Sequence, residues 1–342
     1  MRVRDLVGGP GSREPGPHNA ITDVDGVLVG HTTISEPPRL NTGVTAIVPR
    51  DLDARRALPG AVAVLNGYGK LIGSTQVDEL GTIETPIVLT ATLSAFRAAD
   101  ALVTAMLSRP GHADTRSLNP LVAETNDGYL SEIRTRPVTE QMVLEALDNA
   151  NDDNPVVEGC VGAGTGTSTL GFKGGIGTSS RRVRGCTLGA LVQTNFSGTL
   201  TVLGVPIDAD EVLQDVRAPD ESTERERGNS CMIIVATDAP LDSRQLDRIA
   251  RRAVFAMARV GAAYTHGSGD YGIAISTGDG RHIPDADLDP FFAATMDCVE
   301  EALLNSVFMA ETTYGPDNHV RHAVPIDAVL AKLRAHGMLT AK

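Results

Sequence analysis

The chain has 342 residues, 42% of them hydrophobic and 21% charged, and a formal net charge of −13. That much apolar material supports a large core and excludes a mainly disordered protein. The acidic balance argues against nucleic acid or an anionic membrane surface as partner. No apolar run approaches the roughly 18 residues of a membrane span. The opening MRVRDLVGGPGSREPGPHN carries no apolar stretch of the signal-peptide kind. Cys160, Cys186, Cys231 and Cys298 are widely spaced and form no CxxC pair. They read as buried free thiols of a cytoplasmic protein, not as a disulfide framework or a zinc site.

In chain order, residues 1–19 are rich in Gly and Pro and read as an extended arm. Ile21 to Thr33 alternates as a strand with a turn at Asp25-Gly26. Gly43 to Val48, Ala61 to Leu65 and Thr85 to Thr90 are short apolar strands. Ser94 to Leu107 has helical spacing through Phe96, Ala99, Leu102, Val103 and Met106, and Thr139 to Asn149 is a second helix. A glycine-dense block, residues 158–180, leads into the strand Cys186 to Gln193 and then Thr194-Asn195. Residues 206–229 are polar and form a long surface loop.

A buried strand, Cys231 to Val235, follows Ser230. Ser243 to Val260 is an amphipathic helix. Tyr271 to Ser276 is another strand, preceded by Gly267-Ser268-Gly269-Asp270. Helices over Leu288 to Ala310 and Ile326 to His336 close the chain. Strands and helices do not alternate strictly, which predicts a layered α+β fold.

Several patterns could carry chemistry. GAGTGT at 162–167 has the glycines of a dinucleotide loop but no acidic residue at the end of a second strand, and no GK[ST] follows. No cofactor is expected, and the glycines read as structural. The eight histidines show no metal-ligand spacing, so no metal is expected. His266 lies near Ser268, yet triads assemble in space and adjacency proves nothing. Glu124 to Tyr129 is a polar patch after Leu121-Val122-Ala123. It reads either as a capped turn or as a strand-end carboxylate aimed into a cleft to hold an ammonium group. Ser230 reads either as a turn residue or as a nucleophile. Freed by cleavage, it would own both a hydroxyl and an α-amino group.

Longer motifs carry a family resemblance. NAITDVDGVLVGHTT (19–33), NGYG (66–69), AETNDGYL (123–130), GCVGAGTG (159–166), FKGGIGTSSR (172–181), ALVQTNFSG (190–198), GNS (228–230), VATDAPL (235–241), GSGDYGIAIST (267–277) and EALLNS (301–306) occur in this order. From about residue 16 onward the chain resembles the DmpA family of L-aminopeptidase/D-amidase-esterases and β-peptidyl aminopeptidases. The resemblance implies a four-layer αββα sandwich, similar to N-terminal-nucleophile hydrolases but differently connected and shared with ornithine acetyltransferase. It implies one self-processing domain over 1–342, cut between Asn229 and Ser230 into an α chain, 1–229, and a β chain, 230–342. These stay associated and assemble into homo-oligomers. The implied substrates are small peptides, amino-acid amides or esters.

By the same resemblance Ser230 is the nucleophile, and Asn195 helps hold the oxyanion. Ser268 and Asp270 flank the nucleophile. Glu124 receives the substrate's free amine, and Asn126 lies in the substrate site. There are departures. Asp270 is often Glu in the family and Asn126 often aromatic. Leu89-Thr90-Ala91-Thr92 replaces LTNT, and Lys70 stands where an acidic residue is common. The competing expectation is an uncleaved, non-enzymatic ligand-binding protein on the same fold. An acetyltransferase reading is opposed by serine in place of threonine at 230.

Overall fold

The computed structural model describes residues 1–52, 57–222, 229–280 and 282–339. Two larger sheets are built from β1 (Val27–Glu36), β2 (Leu40–Pro49), β3 (Leu58–Gly67), β4 (Leu71–Ile72), β5 (Thr82–Ile83), β6 (Ile87–Ala91), β7 (Leu121–Thr125), β8 (Ile176–Val183), β9 (Cys186–Asn195), β10 (Asn229–Thr237) and β11 (Ser268–Ser276). The five-stranded sheet has the order β1-β2-β6-β7-β4, and the six-stranded sheet β8-β9-β10-β11-β3-β5. The main helices are α1 (Ala95–Leu107), α2 (Glu140–Asp148), α3 (Ser243–Ala256), α4 (Asp289–Phe308) and α5 (Ile326–Ala335).

Parallel neighbours need a crossover, and helices supply it. β6 and β7 pair parallel around α1, and β10 and β11 pair parallel around α3. α2 starts where the Thr139 hydroxyl accepts the Met142 N–H. α3 starts at a reciprocal Asp242–Gln245 capping box.

Period-two alternation divides the core. Along β10, Met232, Ile234 and Ala236 meet Ile47, Leu89 and Ala123 of the other sheet. Cys231, Ile233 and Val235 turn outward to Leu246 and Ile249 of α3 and Phe291 and Val299 of α4. On the far side, α1 and α2 cover the five-stranded sheet through Ala98, Leu102, Met142 and Val143 against Val44, Val88 and Val122. The result is helix, sheet, sheet, helix: the expected four-layer αββα sandwich.

Several local expectations are corrected. The arm is not simply extended: Val3–Val7 is a short helix, and Arg4 bonds the buried Glu301. Ile21–Asp23 is a 3-10 turn, and the first strand begins at Val27, after the Asp25-Gly26 turn. On α1, Ala99, Leu102 and Met106 are buried as expected, but Phe96 is 67% exposed, and Ala95 and Ala98 join the buried face in its stead. Alanines on both sides of Phe96 let the helix turn its larger ring outward without opening the core. Cys160 and Cys186 are only half-buried, unlike Cys231 and Cys298. The polar loop contains a helical turn, Ala209–Val212, while its 223–228 segment lies outside the described residues. The strand placed at Tyr271 begins earlier, at Ser268, so Ser268 and Asp270 sit in the sheet.

Candidate active site

Ser230 is the second residue of β10 and is 4% exposed. It pairs antiparallel with Asn195 at the end of β9 and parallel with Gly269 near the start of β11. Alternation aims its side chain between the sheets, with Met232 and Ile234. Its hydroxyl donates to the Asn229 carbonyl oxygen at 2.5 Å. Asn229 is held from both sides. Its Oδ1 accepts from the Ser197 hydroxyl at 3.0 Å, and its Nδ2 donates to Thr265 Oγ1 at 3.1 Å.

The Asn229–Ser230 peptide faces the Ser268–Gly269 peptide across the parallel pair. The Ser268 hydroxyl donates to Asp270 Oδ1 at 2.7 Å, and Asn66 Nδ2 donates to Asp270 Oδ2 at 2.9 Å. The one-methylene-shorter Asp therefore reaches its serine. Burial pushes the Asp270 carboxyl above the usual carboxylate range, while the Ser268, Asn66 and Cys231 N–H bonds pull it back down. His266 is exposed and meets Tyr68 edge-on with ring centroids 6.4 Å apart, and no bond joins it to Ser268.

Asn195 is fully buried. Its Oδ1 accepts from Ser168 N at 2.9 Å, and its Nδ2 donates to the Asn126 backbone carbonyl at 2.9 Å. That second bond ties the end of β9 to the chain just past β7 in the other sheet. Asn126 turns its side-chain Oδ1 to the Gly128 N–H at 2.9 Å. Glu124, in β7, is 2% exposed at its side chain. Its Oε1 accepts from the Lys70 backbone N–H at 2.7 Å, and Lys70 Nζ lies 3.5 Å from the same oxygen.

The seam between the two groups is a glycine contact. A Cβ on Gly269 would lie 2.5 Å from the Gly69 nitrogen and 3.2 Å from Ser230 Oγ. A Cβ on Gly69 would lie 3.3 Å from Glu124 Oε1. Only bare backbone fits there, and it brings Ser230 and Glu124 to either side of one contact. Strand pairing thus brings the sequence-predicted residues Ser230, Asn195, Asn229, Ser268 and Asp270 to one end of the six-stranded sheet, with Glu124 and Asn126 at the end of β7 across the Gly69–Gly269 contact. Asp270 lies on the Cys231 face of its sheet, the face opposite to the Ser230 hydroxyl.

Some neighbours were missed by sequence reasoning. Asn66, Ser197 and Thr265 were given no role, although Asn66 opens the NGYG motif. Asp127 is buried, with Oδ1 unpartnered, and desolvation raises its pKa to about 7. Nothing in its spacing separates it from a turn aspartate. In the glycine block the N–H groups a phosphate would use are spent on the protein. Gly162 N–H bonds Thr33 Oγ1 at 2.8 Å and Ala163 N–H bonds Thr45 Oγ1 at 3.1 Å. Among the described residues, no cluster of three or more His, Cys, Asp and Glu side chains could hold a metal ion.

Comparison with known proteins agrees with this geometry. The model of "Peptidase family S58" matches residues 19–321. The β-peptidyl aminopeptidase BapA of Sphingosinicella microcystinivorans is 35% identical over 97% of this chain and 92% of its own. The solved structure of the PH0078 protein from Pyrococcus horikoshii OT3 superposes with a TM-score of 0.90 at 41% identity, over 99% of this chain and 100% of that one. The L-aminopeptidase D-Ala-esterase/amidase of Ochrobactrum anthropi, described as a variant of the Ntn hydrolase fold, gives 0.87 at 37% identity over 99% of both chains.

Proposed function

Because this chain belongs to peptidase family S58 and is a hydrolytic aminopeptidase, we propose that Ser230 is its nucleophile, released as a new amino-terminus by self-cleavage at Asn229–Ser230. The observation that carries the reading is the register. Ser230 is flanked by Asn195 on one strand and by the Ser268-Gly269-Asp270 segment on the other.

In self-cleavage the Ser230 hydroxyl adds to the Asn229 carbonyl carbon. The C–N bond breaks, and the nitrogen, which keeps its own proton, takes the proton from the hydroxyl and becomes the α-amine. Water then hydrolyses the resulting ester, leaving a carboxylate on Asn229. The two clamps on the Asn229 side chain support this step by fixing the carbonyl beside the hydroxyl.

In turnover, a serine hydroxyl needs a base. The α-amine, with a reference pKa of about 7.7–8.0, takes its proton as Oγ bonds the substrate carbonyl. The Ser268 hydroxyl, oriented by Asp270, holds that amine. Asn195 Nδ2, oriented by the Asn126 carbonyl, serves the oxyanion, and an oxyanion donor is worth about 3 kcal/mol. The C–N bond breaks, the leaving amine takes the proton, and water resolves the acyl-enzyme. Glu124 pairs with the substrate's ammonium group and so measures the distance from free amine to scissile carbonyl.

The substrates in this reading are small peptides, amides or esters with a free N-terminal amine, including β-amino acid residues. Residues 1–229 and 230–342 remain together as α and β chains of one domain. Strand order supports this, since β10 and β11 lie between β9 and β3 from the other side of the cut. Exposed Val64, Leu65 and Tyr68 at the end of β3 support assembly of such αβ units into an oligomer. Four free cysteines support residence in the cytoplasm. The test is a set of β-alanyl and α-aminoacyl p-nitroanilides, each with a free or an acetylated amine. Hydrolysis of the free forms alone is expected, and equal hydrolysis of the acetylated forms would remove the amine-anchor role.

A further inference from the structure

Glu124 is not alone at its site. Lys70 Nζ is 3.5 Å from Glu124 Oε1, and its short hydrogen bond goes instead to Thr92 Oγ1, at 2.7 Å. The Lys70 side chain is 39% exposed whereas Glu124 is 2% exposed, so the cation is the solvent-facing member of the pair and the anion the buried one. An ammonium has three donors, and Thr92 takes one of them. Glu124 Oε1 is occupied by the Lys70 backbone N–H, and Oε2 has no hydrogen bond to the described residues.

A substrate ammonium arriving at Oε2 would bring a second positive charge beside Lys70. Two cations sharing one carboxylate repel each other. A carboxylate on the substrate removes that repulsion if it lies close to the amine: ammonium to Glu124, carboxylate to Lys70, with signs alternating. The smallest spacing is one carbon bearing both groups.

We propose that Lys70 and Glu124 together form a two-charge clamp for an α-amino-acid head, and that the preferred substrates are peptides beginning with a β-aspartyl residue. This rests on the reading of Glu124 as amine anchor. The residue class follows from the chemistry. In a β-aspartyl unit the amine-bearing carbon also carries a carboxylate, and the scissile carbonyl is two carbons from the amine. That is the spacing of a β-amino acid, which the names of the BapA relatives carry. Hydrolysis breaks the side-chain amide C–N bond, adds water and releases free aspartate and an amine. Lys70 is a specificity residue in this proposal and takes no part in bond making.

The test compares β-aspartyl and β-alanyl p-nitroanilides, which differ by that carboxylate. The processed enzyme should favour the β-aspartyl substrate by about tenfold in kcat/KM, mostly through KM, as a half-exposed charge pair allows. Lys70→Met should bring the ratio to one or below, and Lys70→Arg should keep most of it. If the parent enzyme prefers β-alanyl, or if Lys70→Met leaves the ratio unchanged, the clamp is overturned while the aminopeptidase reading stands. A ratio lost equally in Lys70→Arg and Lys70→Met overturns recognition by charge. If acetylated β-alanyl p-nitroanilide is cut as fast as the free form, the amine anchor falls and the clamp falls with it.

Discussion

At the scale of single residues, each proposed role separates from a structural one by measurement. Asn195→Ala should lower kcat by about 100-fold or more, the usual loss for an oxyanion donor. Its cost to the fold should be smaller, since hydrogen bonds such as those to the Ser168 N–H and the Asn126 carbonyl are worth roughly 1 kcal/mol each. A variant with normal turnover in its folded fraction would make Asn195 a tether between sheets only. Glu124→Gln should raise KM for free-amine substrates strongly and leave the self-cut intact, since no free amine takes part in it. Asp127 makes a pH prediction. Its folded pKa is raised by burial to about 7, above its unfolded value. A raised carboxyl contributes stability that is complete below its unfolded pKa, about 4, and lost as pH rises through the folded value. The melting temperature should therefore fall between about pH 4 and 7 and level off above that, and Asp127→Asn should make that fall shallower. Glu158, also raised to about 7 and paired with Arg2 at 2.5 Å, will leave part of it. An unchanged slope in Asp127→Asn would mean that Asp127 is already ionised.

At the scale of elements, the contact of β11 with the turn after β3 is the sharpest constraint. Gly269→Ala would press a methyl into the Gly69 backbone and toward Ser230 Oγ. It should cost about 1–3 kcal/mol and leave the chain uncut. A stable, cleaved Gly269→Ala would show that the turn can yield.

Elements with their own periodicity were legible in the sequence. β10 reads from its apolar run, and α3 from its apolar stripe, while the Asp242–Gln245 box at its start emerges only in the structure. Less legible were stretches whose structure is set by contacts distant in the chain. Ser268-Gly269-Asp270 has no alternation, and it becomes strand because it pairs with both β10 and β3. Phe96 has core-like spacing, yet the neighbouring alanines line the buried face. The site residues were named from motifs. Their meeting at one seam, and the partners Asn66, Ser197, Thr265 and Lys70, required the fold, because the residues that meet there lie far apart in sequence.

At the scale of the whole molecule, cleavage and fold are compatible because of strand order. β10 and β11 are enclosed between β9 and β3, and α3 and α4 cover them from outside. A cut before Ser230 severs one peptide and leaves this sheet's other ladders in place, so the two pieces should co-elute from a sizing column under native conditions. The central claim is that the cut creates the nucleophile, and amino-terminal sequencing of the purified protein under denaturing conditions tests it. The account predicts two chains of 229 and 113 residues, the smaller beginning Ser-Cys-Met-Ile, and a Ser230→Ala protein that stays whole and inactive. A full-length chain that hydrolyses substrate, or a smaller fragment that begins at any other residue, would contradict it.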